Sequence, residues 1–253
     1  MTKKRIATMA TCIALVGAVA VGGTLALLAS ESKQLANTFS VSNGYDNKNG
    51  DFLIEELPVK QEADGDYVHD DSVYQTTGED YANMVADSTL AKNPRFRLTN
   101  AADDELPPAS WVVATISVDD IKKLAAKGVT FKTASSDWFV VTATTVGDVT
   151  TYTKGEALTA EFLNTTYTAA PEGTKYYFIY KNVIDADTAD ETYQDATSNI
   201  FTELSVGKNF DAATFGDTLN LTIKGVAVQA LKGTNLDTPE HVTEIMTYAV
   251  PKL

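Results

Sequence analysis

The chain has 253 residues, with 20 Lys and Arg against 34 Asp and Glu, a formal net charge of −14, one cysteine and two histidines. That balance excludes nucleic-acid binding through a concentrated basic surface. One cysteine excludes an internal disulfide framework and a four-cysteine metal site, and two histidines leave little for zinc chemistry. At 44% apolar and 21% charged, the chain has enough hydrophobic content to fill a core.

Lys3, Lys4 and Arg5 precede an uncharged run from Ile6 to Ala29. A basic start, an apolar stretch and small residues at its end form the pattern of a signal peptide. Gly22 and Gly23 interrupt the run, and Thr24-Leu25-Ala26 places small residues before a cut between Ala26 and Leu27. The run is also long enough to cross a bilayer, so membrane attachment through an uncleaved signal helix is the alternative. Cys12 lies inside this run, so cleavage leaves a mature chain, residues 27–253, without a thiol.

Next, Leu35, Asn37, Phe39 and Val41 alternate with Ala36, Thr38 and Ser40, predicting an N-terminal strand over 33–42. Residues 45–90 then carry twelve acidic side chains against Lys48 and Lys60. Turn signals recur at Asn49-Gly50-Asp51 and Asp64-Gly65-Asp66. Phe52-Leu53-Ile54 and Tyr81-Ala82-Asn83-Met84 are its apolar islands, so the window reads as an acidic surface excursion with one or two short elements.

From Lys92 the pattern is strand-rich. Strands are expected at Arg95–Thr99, Trp111–Val118, Trp138–Thr145, Asp148–Thr153, Tyr176–Val183 and Thr218–Ala230, the last bending or running as two strands near Gly225. A helix at Ile121–Ala126 has Asp119-Asp120 for a cap and Gly128 for a stop. Thr238 caps a second helix, with Pro239 at its first position and an end near Ala249. Many short alternating strands and two short helices predict a mainly β, antiparallel β-sandwich in a single domain, with one face of each sheet wet.

Several segments, taken in order, resemble the TasA/camelysin family of secreted Gram-positive surface and biofilm-matrix proteins. They are Gly22-Gly23-Thr24-Leu25-Ala26 followed by Ala36-Asn37-Thr38-Phe39, Lys92-Asn93-Pro94, Trp111 to Ile116, Asp137-Trp138, Tyr176 to Tyr180, Asn199-Ile200-Phe201 and Ala227 to Ala230. The first resembles a signal peptide cut by the SipW type of signal peptidase. Asn93 stands where the family motif has Asp. The resemblance implies a jelly-roll sandwich and, for some members, assembly into extracellular fibres.

The name camelysin also implies metallopeptidase activity, which the residues do not favour. Zinc catalysis of that kind wants His-Glu-x-x-His on a helix. His241-Val242-Thr243-Glu244 offers one His and a Glu, and His69 lies far away in the acidic window. No residue is therefore assigned a catalytic role, and no cofactor is required. Asp185, Asp187 and Asp190 crowd an acidic loop of oxygen donors suited to weak Ca²⁺ binding, although Asp190 falls where an EF-hand needs Gly. The ordinary reading of that loop is a solvated turn. Trp111, Trp138 and the tyrosines of 176–180 form either a carbohydrate-stacking surface or, more simply for alternating strands, core packing.

The expected function is a secreted structural subunit of an extracellular matrix or surface fibre. Its partners are copies of itself and other matrix or surface proteins, with a signal peptidase acting during export. Leu35, Phe39 and Val41 are the anchors of a strand donated from one subunit to the next. A monomeric cell-surface adhesin or ligand-binding module, and a camelysin-like metallopeptidase, are the rival expectations.

Overall fold

The computed structural model describes residues 29–31, 52–70, 72–76, 81, 84–99, 107–186, 194–210, 221–230 and 236–253. The predicted signal segment with Ala26 and Leu27, and the strand over 33–42, lie outside these residues. The described chain is mainly β, built from antiparallel sheets with few helices, as the strand pattern predicts.

The largest sheet has six strands: β1 (Ala29–Glu31), β7 (Ser110–Ile116), β9 (Trp138–Val146), β10 (Val149–Ala157), β11 (Thr174–Tyr180) and β13 (Ile223–Gln229). Their order is β1-β13-β7-β11-β9-β10, with every pairing antiparallel. A second sheet contains β3 (Val59–Gln61), β4 (Tyr67–His69), β5 (Thr89–Ala91), β8 (Val129–Phe131) and β12 (Glu203–Val206) in the order β3-β4-β5-β12-β8. Its one parallel contact joins Tyr67 to Leu90. A two-stranded ribbon, β2 (Phe52–Glu55) with β6 (Arg95–Leu98), completes the sandwich.

The main core fills the space between these layers. Val112, Ala114, Ile116, Val140, Phe178 and Ile223 project into it from the large sheet. Phe131, Leu204 and Leu90 meet them from the second sheet, and Phe52, Ile54, Phe96 and Leu98 from the ribbon. Phe52 stacks on Phe96 at 5.4 Å, Phe96 leans on Trp138 at 6.1 Å, and Trp138 on Tyr180 at 5.3 Å. Burying each such ring contributes about 1.5–3 kcal/mol, and their number makes this aromatic row a main source of cohesion.

Four features differ from the sequence reading. First, the acidic window is not a surface excursion: it supplies β2 to β5 and buries Phe52, Ile54, Tyr67, Tyr81, Met84 and Leu90. Second, the described residues form three α-helices, α1 (Val118–Ala126), α2 (Ala160–Asn164) and α3 (Pro239–Ala249). Ser117 caps α1 by accepting the Asp120 N–H, whereas Asp120 is buried and accepts the N–H of Thr222. Third, the outer face of the large sheet is covered over its inner strands. Val242, Ile245, Met246 and Ala249 of α3 cover Trp111, Val113, Val141, Ile179, Val226 and Val228 in a second core, so β7 is buried on both sides.

The fourth concerns Gly225, which does not bend its strand. The pairing of β13 with β7 runs without a shift from Ile223↔Ile116 to Gln229↔Ser110. Gly225 lies opposite Ala114, and a Cβ there would sit 2.2 Å from Cε1 of Phe96. Two small residues side by side leave the hollow into which the Phe96 ring settles. The Thr238 cap and Pro239 start of α3 are as predicted.

Candidate functional site

Two regions have features beyond packing: the edges of the large sheet, and an opening between two of its inner strands.

At one edge, β1 pairs with β13 through Ala29↔Val228, Ser30↔Ala227 and Glu31↔Val226. The partner strand is seven residues long, so β1 spans less than half of it. At the other edge, β10 is mostly exposed, and Val146 and Val149 flank the turn at the tip of its hairpin with β9. Gly147 makes that turn with a φ of 61°, in the left-handed region that favours glycine. Register slips between Lys154 and Ala157, and the Lys154 ammonium lies 3.9 Å from the centre of the Phe139 ring. A bulge with a lysine and a glutamate blunts an edge against further pairing.

The opening lies between β7 and β11. These strands pair at Phe178↔Ala114 and Ile179↔Val113. Two residues further along, Ile116 would face Tyr176, but its main chain is taken by a side chain instead. The Tyr167 hydroxyl donates to the Ile116 carbonyl at 2.5 Å and accepts its N–H at 3.3 Å, with Thr115 Oγ1 at 3.2 Å. Tyr167 follows α2 in a Thr-rich turn, and its ring packs on Phe162, Tyr176 and Phe178.

The wedge leaves a cleft of about 350 Å³ lined by Thr115, Ser117, Tyr167, Lys175, Tyr176 and Tyr177, among others. A second cleft of about 220 Å³ shares Thr174, Lys175 and Tyr177 with it and adds Thr145, Thr150 and Tyr152. Burial raises the pKa of Tyr167, against the opposing effect of its hydrogen bonds to Thr115 and Ile116. Burial also raises Tyr152 and Tyr177, the latter helped by the nearby Tyr152 and Tyr167 phenols. All three are therefore neutral hydroxyls at physiological pH.

The predicted site residues fare unevenly. Leu35, Phe39, Val41, Asp187 and Asp190 lie outside the described residues. Asp185 donates its N–H to the Gln194 carbonyl at 2.9 Å, and no cluster of three metal-ligating side chains occurs among the described residues. His69 is on β4 of the second sheet, whereas His241 is on α3 beyond the large sheet, so the two histidines are held on opposite sides of the sandwich. His241 is not simply solvent-facing: its ring meets the edge of Trp111 at 5.7 Å. Trp111 and Trp138 are both fully buried, which removes them from any stacking surface.

Lys92-Asn93-Pro94 and Asn199-Ile200-Phe201 come together in a polar junction. Lys92 N–H donates to Thr202, Ile200 N–H to Pro94, and the Tyr74 hydroxyl to Asn199 Oδ1. The Lys92 ammonium forms a buried ion pair with Glu56. Arg95 binds Glu55 at 2.6 Å and covers the Tyr74 ring at 3.4 Å, while Arg97 binds Asp195 at 2.7 Å. These charges are matched within the protein and hold the ribbon to the loop before β12.

No protein-family model, curated protein or solved structure matches this chain. Among the described residues, no helix is long and apolar enough to cross a membrane.

Proposed function

We propose that the protein is a secreted structural subunit of an extracellular matrix or surface fibre, joined to its neighbours by exchange of the N-terminal strand. The observation that carries this reading is the pairing of Ala29–Glu31 with Val226–Val228 at the edge of the large sheet. That strand begins three residues after the predicted cut at Ala26, so processing would leave it at a free end. Three residues of main-chain pairing are a small contact, and the same hydrogen bonds are available from another copy. The opposite edge of the sheet carries the β10 bulge, which favours the β13 edge as the site of exchange. Repeated head to tail, such an exchange does not close and gives a filament. The ordered resemblance to TasA/camelysin segments supports the same reading.

The test is a reversible lock. Ala29 and Val228 are direct partners across an antiparallel pair, a geometry within reach of a disulfide. Secreted protein carrying Ala29→Cys and Val228→Cys should stay monomeric under oxidising conditions and form fibres once reduced, as read by electron microscopy and sedimentation. Deletion of residues 27–42 should give a folded monomer that does not polymerise. Fibres formed equally well by the oxidised lock or by the deletion reject strand exchange.

A further inference from the structure

We infer that the tyrosine-lined opening between β7 and β11 is a carbohydrate site that takes pyranose units of a β-linked, gluco-configured polysaccharide. The opening is a built feature of the sheet. Tyr167 holds the strands apart and satisfies both main-chain groups of Ile116, so the gap does not leave that residue's buried backbone unpaired. Its neighbour Tyr176 is half-buried on the cleft wall, braced edge-on against Phe162 at 5.1 Å. A braced ring loses little freedom when a ligand stacks on it.

The chemistry of the walls narrows the ligand class. The protein has 34 acidic residues, yet no Asp or Glu side chain lines either cleft; Leu253 joins the lining of the larger one, and its main-chain oxygen accepts from the Lys224 ammonium at 2.6 Å. Lys175 is the charged residue common to both, so cations are disfavoured. Thr115, Ser117, Thr145, Thr150 and Thr174 interleave hydroxyls with the phenol rings, and a purely apolar ligand would desolvate these groups without replacing their hydrogen bonds. A pyranose with equatorial hydroxyls has the complementary make-up: flat C–H faces for a ring, and donors and acceptors around its rim. The larger cleft, about 350 Å³, is at the lower end of small-ligand sites. The second cleft shares Thr174, Lys175 and Tyr177 with the larger one, and two adjoining clefts suit consecutive units of a chain better than one isolated sugar.

Calorimetric titration of the purified chain with cellotetraose and with chitotetraose tests the assignment. At least one should bind saturably. Tyr176→Ala should weaken that binding about tenfold, the loss expected for one stacked ring, while Tyr176→Phe keeps it within about threefold. Tyr248→Ala, on α3 and outside both clefts, should leave it unchanged. Saturation-transfer NMR on the unmodified protein, irradiating the aromatic protons, should label the sugar C–H groups and does not depend on any variant folding. Binding should persist in the disulfide-locked monomer, which separates this site from fibre assembly. Absence of binding to both sugars, or equal losses in Tyr176→Ala and Tyr248→Ala, overturns the inference.

Discussion

The Tyr167 hydroxyl stands where a neighbouring strand would otherwise stand for Ile116, donating to its carbonyl at 2.5 Å and accepting its N–H at 3.3 Å. A single phenol thus replaces one rung of a β-ladder. Tyr167→Phe keeps the ring and removes the rung, leaving two buried main-chain groups short of a partner. The expected cost is about 1–3 kcal/mol, seen as a lower urea midpoint with an unchanged slope.

Gly225 and Phe96 form a second dependent pair. A methyl group at residue 225 would enter the Phe96 ring, so Gly225→Ala should destabilise by about 1–3 kcal/mol through overpacking. Phe96→Leu in the same chain should relieve part of that strain. Additive effects in the double-mutant cycle would show that the ring and the glycine do not meet in solution.

The buried Lys92–Glu56 pair gives an asymmetric prediction. Lys92→Met leaves a carboxylate without its cation in a site where both side chains are at most 3% exposed, and should cost about 3–5 kcal/mol. Lys92→Met combined with Glu56→Leu should recover most of that loss, because the desolvation penalty of both charges is then removed. Thermal unfolding of the three proteins measures the difference.

His69 adds a pH dependence. Desolvation lowers its pKa from 6.5, outweighing the hydrogen bond to Pro58 and the attraction of Glu203. The unfolded chain therefore binds this proton more readily than the folded one. The corresponding stability is present above about pH 6.5 and is lost as pH falls towards the depressed folded value. Denaturation at pH 7.5 and pH 5.0 should show a larger drop in the parent protein than in His69→Gln. Equal drops would mean that His69 is as well hydrated folded as unfolded.

Much of the sandwich was legible because its strands carry strong local signals. Trp138–Thr145 is rich in Val and Thr, and Thr238-Pro239 starts a helix by rules that act within a few residues. The acidic window was misread because its charges find partners far along the chain: Glu55 and Glu56 meet Arg95 and Lys92 some forty residues later, a relation that local charge density does not encode. Gly225 looked like a bend for the same reason, since the ring that needs its missing side chain comes from residue 96. For Trp111 and Trp138 the simpler reading, core packing, is what the structure shows, because size itself draws such rings inward. Tyr167 had one faint mark, an aromatic residue among the threonines of a turn.

Helix α3 also limits how copies of this fold can be arranged. With its apolar side seated on Trp111, Val113 and Val226, it stands in the way of flat layers of chains laid face upon face, as in amyloid. Any rope made from intact modules must be tied at their margins, each bead keeping its greasy interior to itself. Such a rope should disperse on loss of its end-to-end ties without first melting its beads.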